Sequence, residues 1–210
     1  MSRDHILHKV RTAIGRSAGQ EPAPPPPLEL PVPAIDPARR FELFSGALER
    51  LGGKAFAAGS PEEACTYAAH LLEGKQAVAS NAPFLAECGI LALAGVRTGF
   101  ENAGELCRAC AAADAGITSA DYALADTGSL VMLSSPREAR MISLLPPLHL
   151  AVVPRSRLLS GLDELFSILP DPEAQTSAMV LITGPSRTAD IEQILVRGVH
   201  GPREVHVLLV

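Results

Sequence analysis

Two short stretches of this sequence place glycine beside hydroxyl and charged residues, where a backbone turn can meet a ligand. The first is Asp126-Thr127-Gly128-Ser129, at the end of an apolar run. Glycine lets the chain turn sharply there and lets a ligand approach the main chain. The flanking hydroxyls add donors and acceptors. The same residues also make a turn held by Thr and Ser side chains, so this stretch alone leaves both readings open. In the second, the apolar strand Val180-Leu181-Ile182-Thr183 runs into Gly184-Pro185, then Ser186-Arg187-Thr188-Ala189-Asp190-Ile191-Glu192. The pattern predicts a helix over 189–197 with Gly198 just past its end. The first amides of such a helix lack intrahelical partners and, with its dipole, favour an anion. Ser186 and Thr188 extend the donor set, and Arg187 can grip a carboxylate or phosphate through two parallel hydrogen bonds. Asp190 and Glu192 equally suit a helix whose dipole is answered by its own acids, with no ligand.

Other motifs narrow the chemistry. No Gly-Lys-Ser/Thr follows either glycine turn, and neither is a G-x-G-x-x-G fingerprint. No G-x-S-x-G elbow is present, so Ser-His-Asp catalysis is not indicated. His149, in Leu148-His149-Leu150, reads as a hydrogen-bonded structural residue. His200, in a Gly-rich loop with Arg203 and Glu204, is the candidate catalytic histidine. Cys107 and Cys110 form the one C-x-x-C. A four-ligand zinc site needs two further ligands, and no second C-x-x-C or spaced His pair supplies them, so ordinary thiols and no metal are expected.

The chain that must position these residues has a globular balance, with 47% hydrophobic and 20% charged residues. Its net charge of -5 argues against generic nucleic-acid binding. The start reads as no signal peptide, and no run approaches the length of a membrane span. The cytoplasm is therefore expected. Residues 4–16 read as a short amphipathic helix, within an N-terminal segment taken as 1–20. A proline-rich linker follows over 21–37, with eight prolines from Pro22 to Pro37. Proline fixes its own φ and biases its predecessor toward extended geometry, which makes a semi-rigid spacer.

The body is expected over 38–210. Helices are predicted at 38–51, from a Ser60 cap and Pro61 to about Glu73, at 101–114, and over most of 158–169. Strands are predicted at 54–58, 76–80, 117–125, 130–133, 149–153, 178–183 and 205–210, with a strand or buried turn at 90–94. Strands alternating with helices argue for an α/β sheet covered by helices, largely parallel, with antiparallel pairing around Gly128.

Four segments in order resemble the lactate-utilization protein C family, whose module is the LUD domain. They are Gly116 through Ser129, Arg140 through Ser143-Leu144-Leu145-Pro146-Pro147-Leu148-His149-Leu150 to Val153, Thr183 through Glu192, and Gly198-Val199-His200-Gly201-Pro202. The resemblance covers residues 85–210 well and the first third poorly. The family's acidic-Thr-Gly-Thr pattern reads Asp126-Thr127-Gly128-Ser129 here, which keeps the hydroxyl. The resemblance implies a Rossmann-like, mostly parallel sheet flanked by helices, as in the NagB/RpiA/CoA-transferase superfamily. It also implies a role in oxidising L-lactate to pyruvate beside partner subunits that carry iron–sulfur clusters, with no cofactor on this chain. An accessory subunit of this kind would bind a substrate carboxylate at Arg187 or Arg140. The alternative is a free-standing isomerase or CoA- or acyl-transferase-like enzyme. A CoA-transferase-type mechanism needs a carboxylate nucleophile, and neither Gly-rich loop offers a glutamate that fits. The functional surface is expected where the Asp126–Ser129 and Gly184–Asp190 segments meet.

Overall fold

The four longest described helices start where a side chain caps them. Ser60 accepts from the Glu63 amide with Pro61 in the first turn, and Asp36 accepts from the Ala38 amide ahead of Pro37. The computed structural model describes residues 2–17, 19–20, 35–135, 138–189 and 195–210. In chain order its elements are α1 (Arg3–Ala13), α2 (Pro37–Arg50), β1 (Lys54–Ala57), α3 (Pro61–Leu71), β2 (Ala77–Ala79), α4 (Pro83–Glu87), β3 (Val96–Arg97), α5 (Ala103–Ala112), β4 (Ala115–Ser119), β5 (Tyr122–Leu124), β6 (Ser129–Leu133), β7 (Leu148–Val153), β8 (Leu158–Leu159), α6 (Leu162–Ile168), β9 (Met179–Ile182), β10 (Arg187–Ala189), β11 (Leu195–Arg197) and β12 (Glu204–Leu209). Short 3-10 turns lie at Ile90–Ala92, Arg140–Ser143, Arg155–Arg157 and Pro172–Ala174. The N-terminal unit, residues 1–30, is distinct from the body. Within it, Ile6 and Val10 of α1 and Ile14 just past its end are exposed. Most of the predicted proline linker, residues 21–34, lies outside the described residues.

Six strands form one parallel sheet in the order β1-β12-β7-β4-β2-β3. A parallel sheet is covered on both faces, so its central strands are apolar throughout. Every residue of β7 is buried. Its Leu148, Leu150 and Val152 join Ala64, Ala68 and Leu85 of α3 and α4 on one face. Its Ala151 and Val153 join Phe44 and Leu48 of α2, with Leu130 and Met132 of β6, on the other. That second face is roofed by a four-stranded sheet ordered β8-β5-β6-β9. The β5–β6 and β6–β9 pairs are antiparallel, as expected around Gly128. Cys110 of α5 is buried and its thiol is pushed up to about 11 by that burial, with Cys107 nearby adding to the rise.

The strand order contains a reversal. From β2 the chain moves outward to the edge strand β3. It then crosses back past β2 to β4 and continues in the opposite direction to β7 and β12. In open α/β sheets, a crevice for ligands opens at such a reversal, outside the carboxyl ends of the strands. Here those ends belong to β2 and β4.

Gly116 shows how the covering chain is brought over that region. A Cβ built on it would lie 1.9 Å from the Ile142 carbonyl oxygen and 2.9 Å from the carbonyl carbon. The turn at Arg140–Ser143 thus presses its backbone directly onto β4, and any side chain at 116 would lift it.

Several expectations need correction. Residues 187–189 and 195–197 are strands of an antiparallel ribbon, with Arg187 opposite Arg197 in register, not parts of a helix over 189–197. Tertiary tethering overrides helix propensity: Ser186 donates to Pro202 and accepts from Gly198, closing the ribbon at its base. Residues 190–194, including the candidate Asp190, lie outside the described residues. Of the two forms expected at 90–94 the turn is found, as a 3-10 turn at Ile90–Ala92; the stretch from Leu158 begins as strand, and α4 and β3 were not anticipated. Among the described residues no helix is long and apolar enough to cross a membrane.

Gly116→Ala should force the 140–143 turn off the sheet, an overpacking cost of about 1–3 kcal/mol. The expected fall in melting temperature is roughly 3–10 °C. An unchanged melting temperature in a thermal denaturation series would show that the turn does not bear on β4.

Candidate functional site

The two glycine segments do meet in space, but under a helix. Ser129 Oγ lies 2.9 Å from Thr183 Oγ1, and Leu130 pairs with Ile182 across β6 and β9. Gly128 has φ +68°, and a Cβ on it would stand 2.5 Å from the Leu48 amide nitrogen of α2. Its glycine is therefore required by the close passage of α2 as well as by its left-handed backbone. Gly184 lies against Leu51, just past the same helix. Asp126 and Thr127 are exposed. The Asp126 amide donates to Ser160, and its carboxylate stands beside Gly161 at the start of α6. These contacts give the segment a packing role.

The remaining predicted residues separate into two neighbourhoods. Ser186 joins Gly198 and Pro202, while Arg187 and His200 are exposed and Thr188 is half-buried. With no helix starting at 189, the backbone amides and dipole expected to hold an anion there are absent from the described residues. Arg140 belongs elsewhere: with Ser134, Glu138 and Ser143 it lines a small cavity near the carboxyl ends of β2 and β4. His149 is fully buried, 2.8 Å from Thr118 Oγ1 through Nε2. Burial holds its imidazole down to about 4, so it is neutral at pH 7. This fits the structural role expected of it.

The carboxyl ends of β2, β4 and β7 hold a set of polar groups that the sequence reading missed. Glu138 sits where the strand order reverses. Its Oε1 accepts from Ser80 Oγ at 2.7 Å, just past β2, and from the Ser119 amide at 2.9 Å, the last residue of β4. Its Oε2 and the Ser134 Oγ are buried without a hydrogen-bond partner among the described residues. Burial pushes the Glu138 carboxyl up to about 7, the bonds from Ser80 and Ser119 oppose the rise, and the Asp121 charge adds to it. Near neutral pH this side chain is thus poised between its two forms.

Asp121 stands next along the same edge. Its Oδ2 accepts from the Leu133 amide at 2.6 Å and its own amide donates to Val131, which locks it against β6. Burial raises its carboxyl, against the Leu133 bond and the nearby Arg157. The Arg157 guanidinium donates to the Tyr122 hydroxyl at 2.8 Å and lies 5.0 Å from the centre of that ring. Among the described residues no carboxylate forms an ion pair with Arg157. Asp121, Tyr122, Arg157, Ser119, Leu133 and Gln175 line a cleft of about 320 Å³. That is the lower end of the size range of small-molecule pockets, roughly 300–1,000 Å³. An exposed cation beside a carboxyl with raised proton affinity can bind a small acid and handle its protons.

Comparison with known proteins agrees with this architecture. The model of the LUD domain matches residues 41–210. The chain is similar to lactate utilization protein C of Halalkalibacterium halodurans, with 45% identity over 94 residues, which cover 43% of this chain and 41% of that protein. It is likewise similar to lactate utilization protein C of Bacillus subtilis, with 39% identity over 102 residues, covering 47% of this chain and 42% of that one. The matched stretches thus span well under half the length of these curated relatives. A crystal structure of a DUF162 family protein from Deinococcus radiodurans shares the fold, with a TM-score of 0.63 and 19% identity, over 84% of this chain and 99% of that one.

The raised Glu138 carboxyl has a consequence for stability. Its contribution is fully present below its ordinary value of 4.5 and is lost as pH rises through about 7. Glu138→Gln keeps a carbonyl for Ser80 and Ser119 but carries no charge. Its stability relative to the parent protein should therefore rise between pH 5 and 8, by on the order of 3 kcal/mol. Denaturant melts of both proteins across that range test this, and parallel curves would mean an ordinary carboxylate.

Proposed function

Because the chain belongs to the LUD domain family, we propose that it serves in L-lactate utilization as a subunit that binds the acid in the cleft beside Arg157. The observation that carries this reading is a guanidinium free of carboxylate partners among the described residues, on a cleft at the carboxyl ends of the sheet. A 2-hydroxy acid brings a carboxylate for the guanidinium and a hydroxyl for a neighbouring acceptor. Oxidation of lactate to pyruvate releases two electrons and two protons. In this reading the electrons pass to the iron–sulfur partner subunits that the family resemblance implies. The chain's task is to hold the acid and the protons. The names of the similar proteins support the lactate assignment.

A second reading, a free-standing CoA- or acyl-transferase-like enzyme, gains one specific observation. A glutamate, Glu138, stands at the strand-order reversal, outside both Gly-rich loops. Its Oε2 is shielded by protein, so a substrate reaches it only once that cover moves. Turnover of an acyl-CoA by the isolated chain, abolished in Glu138→Gln, favours this reading over the first.

A thermal-shift series separates the candidate anion sites. L-Lactate at a hundred times its dissociation constant should stabilise the protein by about 2.7 kcal/mol, or roughly 5–10 °C. Arg157→Ala should lose the shift and Arg187→Ala should keep it. The reverse pattern moves the site to the ribbon. No shift with lactate or pyruvate in folded protein removes the substrate-binding role.

A further inference from the structure

The cleft contains a second recognition element besides its cation. We propose that Asp121 reads the group next to the bound carboxylate, so that this site sorts 2-hydroxy acids from 2-oxo acids. The inference rests on the lactate reading for its first ligand pair, and on the geometry for its mechanism.

Asp121 and Tyr122 are consecutive residues at the start of β5. Tyr122 steadies Arg157 through its hydroxyl and its ring. Asp121 is close enough for its charge to feel Arg157, yet the two do not form an ion pair. A cation and a carboxylate thus line one small cleft, each held by its own contacts and not by each other. A ligand that carries a carboxylate beside a hydroxyl complements both, the carboxylate on Arg157 and the hydroxyl donating to Asp121. A 2-oxo acid has no proton on that oxygen. It sets an acceptor against an acceptor, and the cleft's carboxylate repels it.

The strength of this discrimination follows from the environment. A hydrogen bond to a charged group contributes about 1.5–3 kcal/mol when desolvated. That corresponds to a preference of roughly ten- to a hundredfold for the hydroxy acid. Sites built to bond a substrate hydroxyl discriminate far more than apolar pockets do, because the buried polar group is otherwise left unpaired.

The anchoring of Asp121 makes the inference sharp. Its Oδ2 receives the Leu133 amide, so one side of the carboxyl must remain an acceptor. In Asp121→Asn the amide has to turn its carbonyl to Leu133, which leaves its NH2 toward the cleft. The group facing the ligand changes from acceptor to donor with little change in shape. A donor there suits the oxo group.

The test is titration calorimetry of L-lactate, pyruvate, glycolate and glyoxylate with the parent protein, Asp121→Asn and Arg157→Ala. The parent should prefer the hydroxy acid of each pair by at least about tenfold. Asp121→Asn should lose or reverse that preference while retaining affinity for the oxo acid. Arg157→Ala should lose all four. If Asp121→Asn keeps the parent's preference, the sorting role is overturned while the lactate reading stands. If glycolate and glyoxylate are sorted as described but lactate and pyruvate do not bind, the sorting role stands and the lactate reading falls. If none of the four acids binds to folded parent protein, both are overturned.

Discussion

The packing of the 138–143 segment along β4, from Ser119 back to Gly116, is the constraint on which the rest depends. The Ile142 carbonyl approaches the Gly116 Cα so closely that no side chain fits between them. That contact fixes the height of the segment above the sheet. Four residues earlier the same segment delivers Glu138 to the gap between β2 and β4. There one carboxyl oxygen takes bonds from both strands' ends. Parallel strands have no hairpin to join their carboxyl ends, and here a side chain does so. The polar edge is thereby built from residues far apart in the chain: 80, 119, 121, 138 and 157.

The electrostatics of this edge differ from those of the whole chain. The net charge is -5, yet the cleft presents an arginine held by an aromatic hydroxyl and ring. Stacking on Tyr122 steadies the guanidinium without neutralising it. On the other side, two carboxyls are partly withdrawn from water, and each has one oxygen fixed by a backbone amide. Desolvation raises their proton affinity while those amides restrain the rise. Opposite charges kept apart and individually anchored form a recognition surface, whereas an ion pair between them would close it.

Much of the fold was legible in the sequence. Buried strands such as 148–153 read as continuous apolar runs, and Ser60-Pro61 announces its helix. The ribbon at 187–197 was not legible, because its pairing is imposed by main-chain bonds from Ser186 to residues twelve and sixteen positions later. The glycine segments stand out in the sequence as special positions that meet, but the passage of α2 over Gly128 does not. Gly128 looks the same in sequence whether a ligand or a helix passes over it. Glu138 was invisible for a different reason. Ser80 ends the predicted strand 76–80, a visible sign of a sheet's carboxyl edge, but Ser119 falls inside the predicted strand 117–125, which the structure divides into β4 and β5. That their strands are neighbours follows only from the strand order, in which the chain leaves the edge strand β3 and crosses back past β2 to β4.

On the proposed reading, the working site lies at this edge and not beneath α2 or on the ribbon. A crystal structure of the protein grown with saturating L-lactate tests it most directly. The acid is expected in the cleft between Asp121 and Arg157, its carboxylate on the guanidinium and its hydroxyl toward Asp121. An acid seated at Gly184 or along the Arg187 ribbon, with that cleft holding only solvent, would contradict it.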